Sequence, residues 1–245
     1  MVQGRLGIIA LASAAAIASS ASAGIVGDAV HIRATTADGT TALWSISSVG
    51  ASWLNGEAGW KISGPIDLRA GNGTLVGRLE GLEVNYVADP VVQMGLVVTA
   101  GASSTHFIVT SGLLNFAPFN AVARASAAIT ITDNNGDGAS FSGNYAGSKA
   151  YRAMLNGGVA SGVQFAALVN NQSTGSYSSN ISAEASPGGP GYTPVGNTSD
   201  MQSEFDFTVS AFDSASATSV FVTAPAPGTI VLGTLGLLGT ARRRR

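Results

Sequence analysis

The chain has 245 residues and no cysteine, and 11% of its residues are charged, against a usual share of about 25%. At 45% hydrophobic it is too apolar to be a charge-extended disordered polymer. The missing thiols exclude disulfides, thiolate zinc sites and cysteine nucleophiles, and a formal net charge of −2 excludes a strong electrostatic footprint for nucleic acid.

Residues 1–23 read as a secretory signal peptide. Arg5 is the basic start, 6–17 is an apolar run, and Ala21-Ser22-Ala23 is a small-x-small cleavage site. Signal peptidase is therefore an expected partner, and the mature chain is expected to begin at Gly24. A leader helix and export from the cytoplasm are expected with it. Export suits a chain without thiols, which cannot mispair in an oxidising compartment.

From Gly24 onward the pattern is β. Val30 and Ile32 alternate with His31 and Arg33, and Leu43-Trp44-Ser45-Ile46 follows the Asp38-Gly39 turn. Strands are predicted over 75–79 and 82–87, with a turn at Glu80-Gly81. The segment 91–99 is nearly all apolar, which suggests burial on both faces. Further strands are predicted over 107–110, 127–132, 163–169, 205–209 and 220–222. One or two helical turns are expected around 149–155, and 186–198, rich in Pro and Gly, is expected to be a surface loop. Many short strands separated by Gly, Asn and Asp turns predict an antiparallel β-sandwich of jelly-roll type, a single domain over 24–222.

Four places in this domain invite chemistry. Asp133, Asn135 and Asp137 alternate and Gly138 follows, like the first half of a calcium loop. The twelfth position is Asn144, not a bidentate Glu, and Asn-Gly and Asp-Gly also make hairpin turns. Calcium and a plain turn both remain open. Trp53 and Trp60 are candidate carbohydrate contacts, because an indole ring can stack on the apolar face of a sugar; core packing is the other reading. His31 and His106 fall on out-facing strand positions, with no pairing at metal spacing and no nucleophile elbow. Glu80 and Glu83 are the nearest thing to a glycosidase carboxylate pair, and a solvated turn explains them. No catalytic constellation emerges, so a non-enzymatic role is expected.

The C-terminus, 223–245, is built in three parts: Thr-Ala-Pro-Ala-Pro over 223–227, an uncharged and mostly apolar run over 228–241, and the block Arg242, Arg243, Arg244 and Arg245. The apolar run is short for a membrane span of about 20 residues. The Arg block would stay cytoplasmic by the positive-inside rule. This layout resembles the PEP-CTERM sorting signal of Gram-negative and related bacteria, with Pro225, Ala226 and Pro227 where the family has Pro-Glu-Pro. The resemblance implies a short transmembrane helix that arrests the chain transiently at the inner membrane. It further implies cleavage near the motif by the membrane protease exosortase, and delivery to the cell surface or extracellular matrix. It implies no shared activity. Without the two ends, seven basic residues face fourteen acids, a net charge of −7. The expectation is thus a sorted surface or matrix component with a structural or adhesive role. A carbohydrate-binding module, with polysaccharide as its partner, is the alternative, and a secreted hydrolase stands further off.

Overall fold

A computed structural model describes residues 23–226. In chain order the strands are β1 (Gly24–Thr36), β2 (Thr41–Ser47), β3 (Glu57–Lys61), β4 (Ile66–Arg69), β5 (Leu75–Val87), β6 (Val91–Ala100) and β7 (Thr105–Thr132). They continue with β8 (Ala139–Gly143), β9 (Lys149–Leu155), β10 (Val163–Asn170), β11 (Gln172–Thr174), β12 (Ser179–Ser186), β13 (Thr193–Val209) and β14 (Ser214–Pro225). A single four-residue helical turn, α1 (Gly158–Ser161), is the only helix among the described residues.

All the pairings are antiparallel, and they join the strands into one hydrogen-bonded sheet folded into two layers. The strand that makes the fold is β7. Its first half pairs with β1, its second half pairs with β14 and β12, and β13 follows it from Thr105 to Ala123. Between them, 115–120 is largely exposed and contains Pro118, which cannot donate to a ladder and marks the crossing from one layer to the other. One layer therefore runs β2-β1-β7-β13-β9-β10, and the other runs β12-β7-β14-β6-β5 with β3 and β4 side by side on β5. This is an all-β antiparallel sandwich.

Both layers supply large side chains to the core, and the second contributes Tyr86, Leu79, Ile129 and Phe221, all fully buried. The first supplies rings: Phe107, Phe205, Phe207 and Tyr151 are fully buried, with Tyr151 and Phe205 5.0 Å apart and Phe107 and Phe207 6.1 Å apart between centroids. Facing strands β7 and β14 supply Ala125, Ala127, Ala215 and Ala217, all buried.

Several local expectations are corrected. Residues 149–155 form strand β9, because Ala150, Tyr151 and Ala153 face the core across from β13, and tertiary pairing overrides local helix propensity. Glu80-Gly81 is not a turn but a bulge within the continuous β5. Residues 111–126, unassigned by pattern, belong to β7, and the proposed loop over 186–198 gives way to strand at Thr193. Strand β6 is buried on one face only; Gln93 is exposed and Gly95 and Val97 half-exposed on the other. The last strand runs to Pro225, three residues past the expected end of the domain. Residues 1–22 of the leader, Pro227, the apolar run and Arg242–Arg245 lie outside the described residues.

Candidate functional site

Chemistry-bearing side chains gather in four places: the 133–138 loop, a charged patch on β13, a tryptophan flank and the end of β14.

The loop follows β7 directly. Asp133, almost fully buried, turns its carboxylate back into the loop. Its Oδ1 accepts the N–H groups of Asn135 (3.2 Å) and Gly136 (2.9 Å), and its Oδ2 those of Gly138 (3.2 Å) and Tyr177 (2.6 Å). Burial opposes ionisation here, but the four N–H donors outweigh it and hold the carboxyl below its ordinary value. Gly136 and Gly138 sit at φ of 90° and 92°, the left-handed region that the turn requires. The Asn135 side chain does not face Asp133 but accepts the Asp137 N–H at 3.3 Å. The third acidic neighbour is instead Asp213, between β13 and β14, and carboxylate oxygens of Asp133, Asp137 and Asp213 all lie within 4.8 Å of one another. Burial pushes the Asp213 carboxyl up; hydrogen bonds from Ser210 and the Asn134 N–H oppose this, and the charges of Asp133 and Asp137 add to it.

These residues fit calcium poorly. A carboxylate offers about four lone-pair sites, and all those of Asp133 go to backbone N–H groups. Asn135 is spent within the loop. The hydrogen bonds support a self-braced loop, and it is not the expected hairpin turn, because β7 and β8 do not pair with each other and β8 pairs instead with β11 and β13; alternation alone did not reveal that the donors were already engaged.

The second gathering was missed by pattern reading. On β13, Glu204 and Asp206 share the face opposite Phe205 and Phe207. Glu204 is only 5% exposed. Its Oε1 accepts from Arg152 Nη2 (2.7 Å), Arg152 Nε (3.0 Å) and the Tyr145 hydroxyl (2.5 Å), and its Oε2 accepts from the Thr110 hydroxyl (2.5 Å). The Arg152 guanidinium also lies 4.7 Å from the Tyr145 ring centroid. Asp206 Oδ1 meets His106 Nε2 at 2.6 Å and accepts from Asn144 Nδ2 at 2.8 Å. Burial works against its charge, yet the contacts with His106 and Asn144, aided by Arg152, hold its carboxyl below the ordinary value. His106 is thus half-buried and partnered, while His31 is exposed as expected. Alternation placed Asp206 outward. Arg152, on a segment read as helix, could not be recognised as the cross-strand partner of Glu204.

The tryptophans occupy one flank. Trp53 and Trp60 are half-buried against the core, and Trp60 meets Tyr86 edge to face at 5.8 Å. Neither forms an open platform. Trp44 is also half-buried against the core. Nearby on the outer face of β5, β6 and β14 is a shallow groove of about 420 Å³, lined by Lys61, Glu80, Glu83, Gly95 and Thr218 among others. Glu80 and Glu83 pair with Arg78 (3.6 Å) and Lys61 (3.7 Å).

At the end of β14, Pro225 is exposed and registers with Ala121, and the Ala226 N–H donates to Asn120 O at 2.9 Å. The described chain ends there, with the motif's third residue, Pro227, just beyond.

No family model matches the chain, and no curated protein does. Among solved structures, the enzymatically active domain of tailspike protein 4 from bacteriophage CBA120 is 11% identical, over 69% of this chain and 19% of its own, at a TM-score of 0.23. A chain from infectious bursal disease virus, Gx strain, is 10% identical, over 85% of this chain and 58% of its own, at a TM-score of 0.27. This chain spans less than two thirds of either, and likenesses at that level carry no functional argument. Among the described residues no helix is long and apolar enough to cross a membrane.

Proposed function

We propose that the protein is an exported, exosortase-sorted component of the bacterial cell surface or extracellular matrix, with a non-catalytic structural or adhesive role. The observation that carries this reading is where the sandwich ends. The last strand ends at Pro225, so the first residue of the sorting motif, itself exposed, is the last residue of the last strand, ahead in sequence of the apolar run and the Arg block. A protease needs extended, accessible backbone; Pro225 is extended and exposed at the edge of the described fold, while the Ala226 N–H still bonds to Asn120 O. The structural role is supported by the condition of the acidic groups. The carboxylates of Glu204, Asp206 and Asp133 are engaged by fixed partners, an arrangement that stiffens a sheet and leaves little for a substrate. The carbohydrate reading has less support, since Trp53 and Trp60 pack on the core.

The test is fractionation of cells that make the protein, with and without the exosortase. The proposal expects it at the surface or in the matrix with the protease, and retained in the inner membrane without it. Identical distribution in both strains would overturn the sorting claim.

A further inference from the structure

Sheet edges are where a β-protein is open to pairing, and most edges here are guarded. Strand β3 carries Glu57 and Lys61, and β4 carries the Asp67–Arg69 ion pair at 2.8 Å. Strand β10 is broken by a bulge between Gln164 and Ala166. Strand β12 is clamped through Glu184, which holds Lys149 Nζ at 2.7 and 2.9 Å. Strand β2 has none of these devices. Its sequence, Thr-Ala-Leu-Trp-Ser-Ile-Ser, has no charge and no proline, and its register with β1 is unbroken from Val30 to Thr35. Among the described residues its outer edge has no strand partner.

The hairpin fixes which groups are free. The Thr36 N–H bonds to Thr40 O (2.9 Å), and the Gly39 N–H to Thr36 O (2.9 Å). Antiparallel ladders alternate hydrogen-bonded and non-bonded pairs. Counting from that closure, Ala42, Trp44 and Ile46 bond back to β1, and Thr41, Leu43, Ser45 and Ser47 direct their N–H and C=O groups outward. Leu43 is 65% exposed on this strand, and Val49, just past it, is 92% exposed. The inward side chains Trp44 and Ile46 are only half-covered, as are Trp60 and Ile66 on the facing edge strands.

We propose that the free edge of β2 pairs antiparallel with the same edge of a second copy of this chain, on a two-fold axis through Trp44. The seven-residue strand is centred on Trp44. In the self-paired register Thr41 meets Ser47 and Leu43 meets Ser45 of the second copy. Every outward N–H then faces an outward carbonyl, for about eight bonds in all. No charge opposes another along the seam. The added strand lays Trp44 and Ile46 of the second copy along the half-covered flank, which explains why the tryptophans there are neither core nor exposed platform. This is an isologous contact that closes at the dimer. It stands independently of how the C-terminus is processed.

The test is sedimentation of the full chain from low micromolar to near-millimolar concentration, alongside Leu43→Lys and Ser45→Pro. Both variants change exposed residues whose N–H groups are not bonded to β1, and circular dichroism should show an unchanged fold. The proposal expects a concentration-dependent dimer that each variant weakens about tenfold or more. A wild-type chain that stays monomeric throughout would overturn it, as it would if a different partner fills the edge. A dimer that both folded variants leave unchanged would overturn it equally.

Discussion

Glu204 on β13 and Asp133 in the 133–138 loop are both nearly buried carboxylates, and each accepts four hydrogen bonds. Their donors differ. Glu204 is matched by side chains, including a guanidinium from the neighbouring strand. Asp133 is matched by backbone N–H groups, with no cationic side chain bonded to it and Asp137 and Asp213 alongside. One cluster is close to neutral and ties three strands together. The other keeps a surplus of negative charge and ties a loop to itself and to the Tyr177 backbone. Side-chain neutralisation makes a cluster depend on its partners, whereas backbone neutralisation makes it depend on the turn.

The largest effect should come from breaking the first cluster. Glu204→Ala leaves a half-buried Arg152 without its counter-charge and should cost about 3–5 kcal/mol, the usual consequence of removing one partner from a buried pair. Thermal or denaturant unfolding reads this directly. A loss within the ordinary surface range of about 0.5 kcal/mol would show that the patch is not structural. Gly143→Ala should rank next, because a Cβ there meets the Lys149 backbone and one of the two must shift. Overpacking of this kind costs roughly 1–3 kcal/mol. Unchanged stability would mean that β8 and β9 are not so close.

The second cluster is sharpened by acid. Asp213 binds its proton more tightly in the folded protein than in the unfolded chain, so protonation favours folding. That contribution is complete below about pH 3.9 and is lost as pH rises through the raised folded value. Asp133 and Asp206 act oppositely. Their contribution is complete above about pH 3.9 and is lost as pH falls through their depressed values. Wild-type stability should therefore rise slightly as pH drops toward the ordinary carboxylate range and fall steeply below it. Asp213→Asn should remove the rise and keep the fall; a rise that persists in the variant would belong to another group.

The smallest effect concerns calcium. With Asp133 and Asn135 spent on backbone N–H groups, millimolar calcium and a chelator should give melting temperatures within about 1 °C of each other. A shift of roughly 2–4 °C that Asp137→Ala abolishes would restore the loop as an ion site, with Asp213 in place of Asn135.

Period-two alternation made the sandwich legible because Phe205, Phe207 and Val209 face inward while Asp206 and Thr208 face outward, whatever pairs beside them. It misread 149–155, whose Ala, Tyr, Met and Leu tolerate either structure until Glu204 and Phe205 are placed across from them. It also missed the unity of β7, since a strand that changes layers changes its buried face and interrupts its own pattern near Pro118. The loop was legible as a loop, but its chemistry was not. Asp213 lies far along the chain, and the direction of the Asp133 oxygens is set by backbone geometry that spacing does not encode.

The central claim, a sandwich delivered to the surface by its two ends, is tested most directly by the intact mass of the protein isolated from its native cells. The account predicts a species that starts near Gly24 and ends near Pro225–Pro227. A species that keeps Arg242–Arg245 would contradict it.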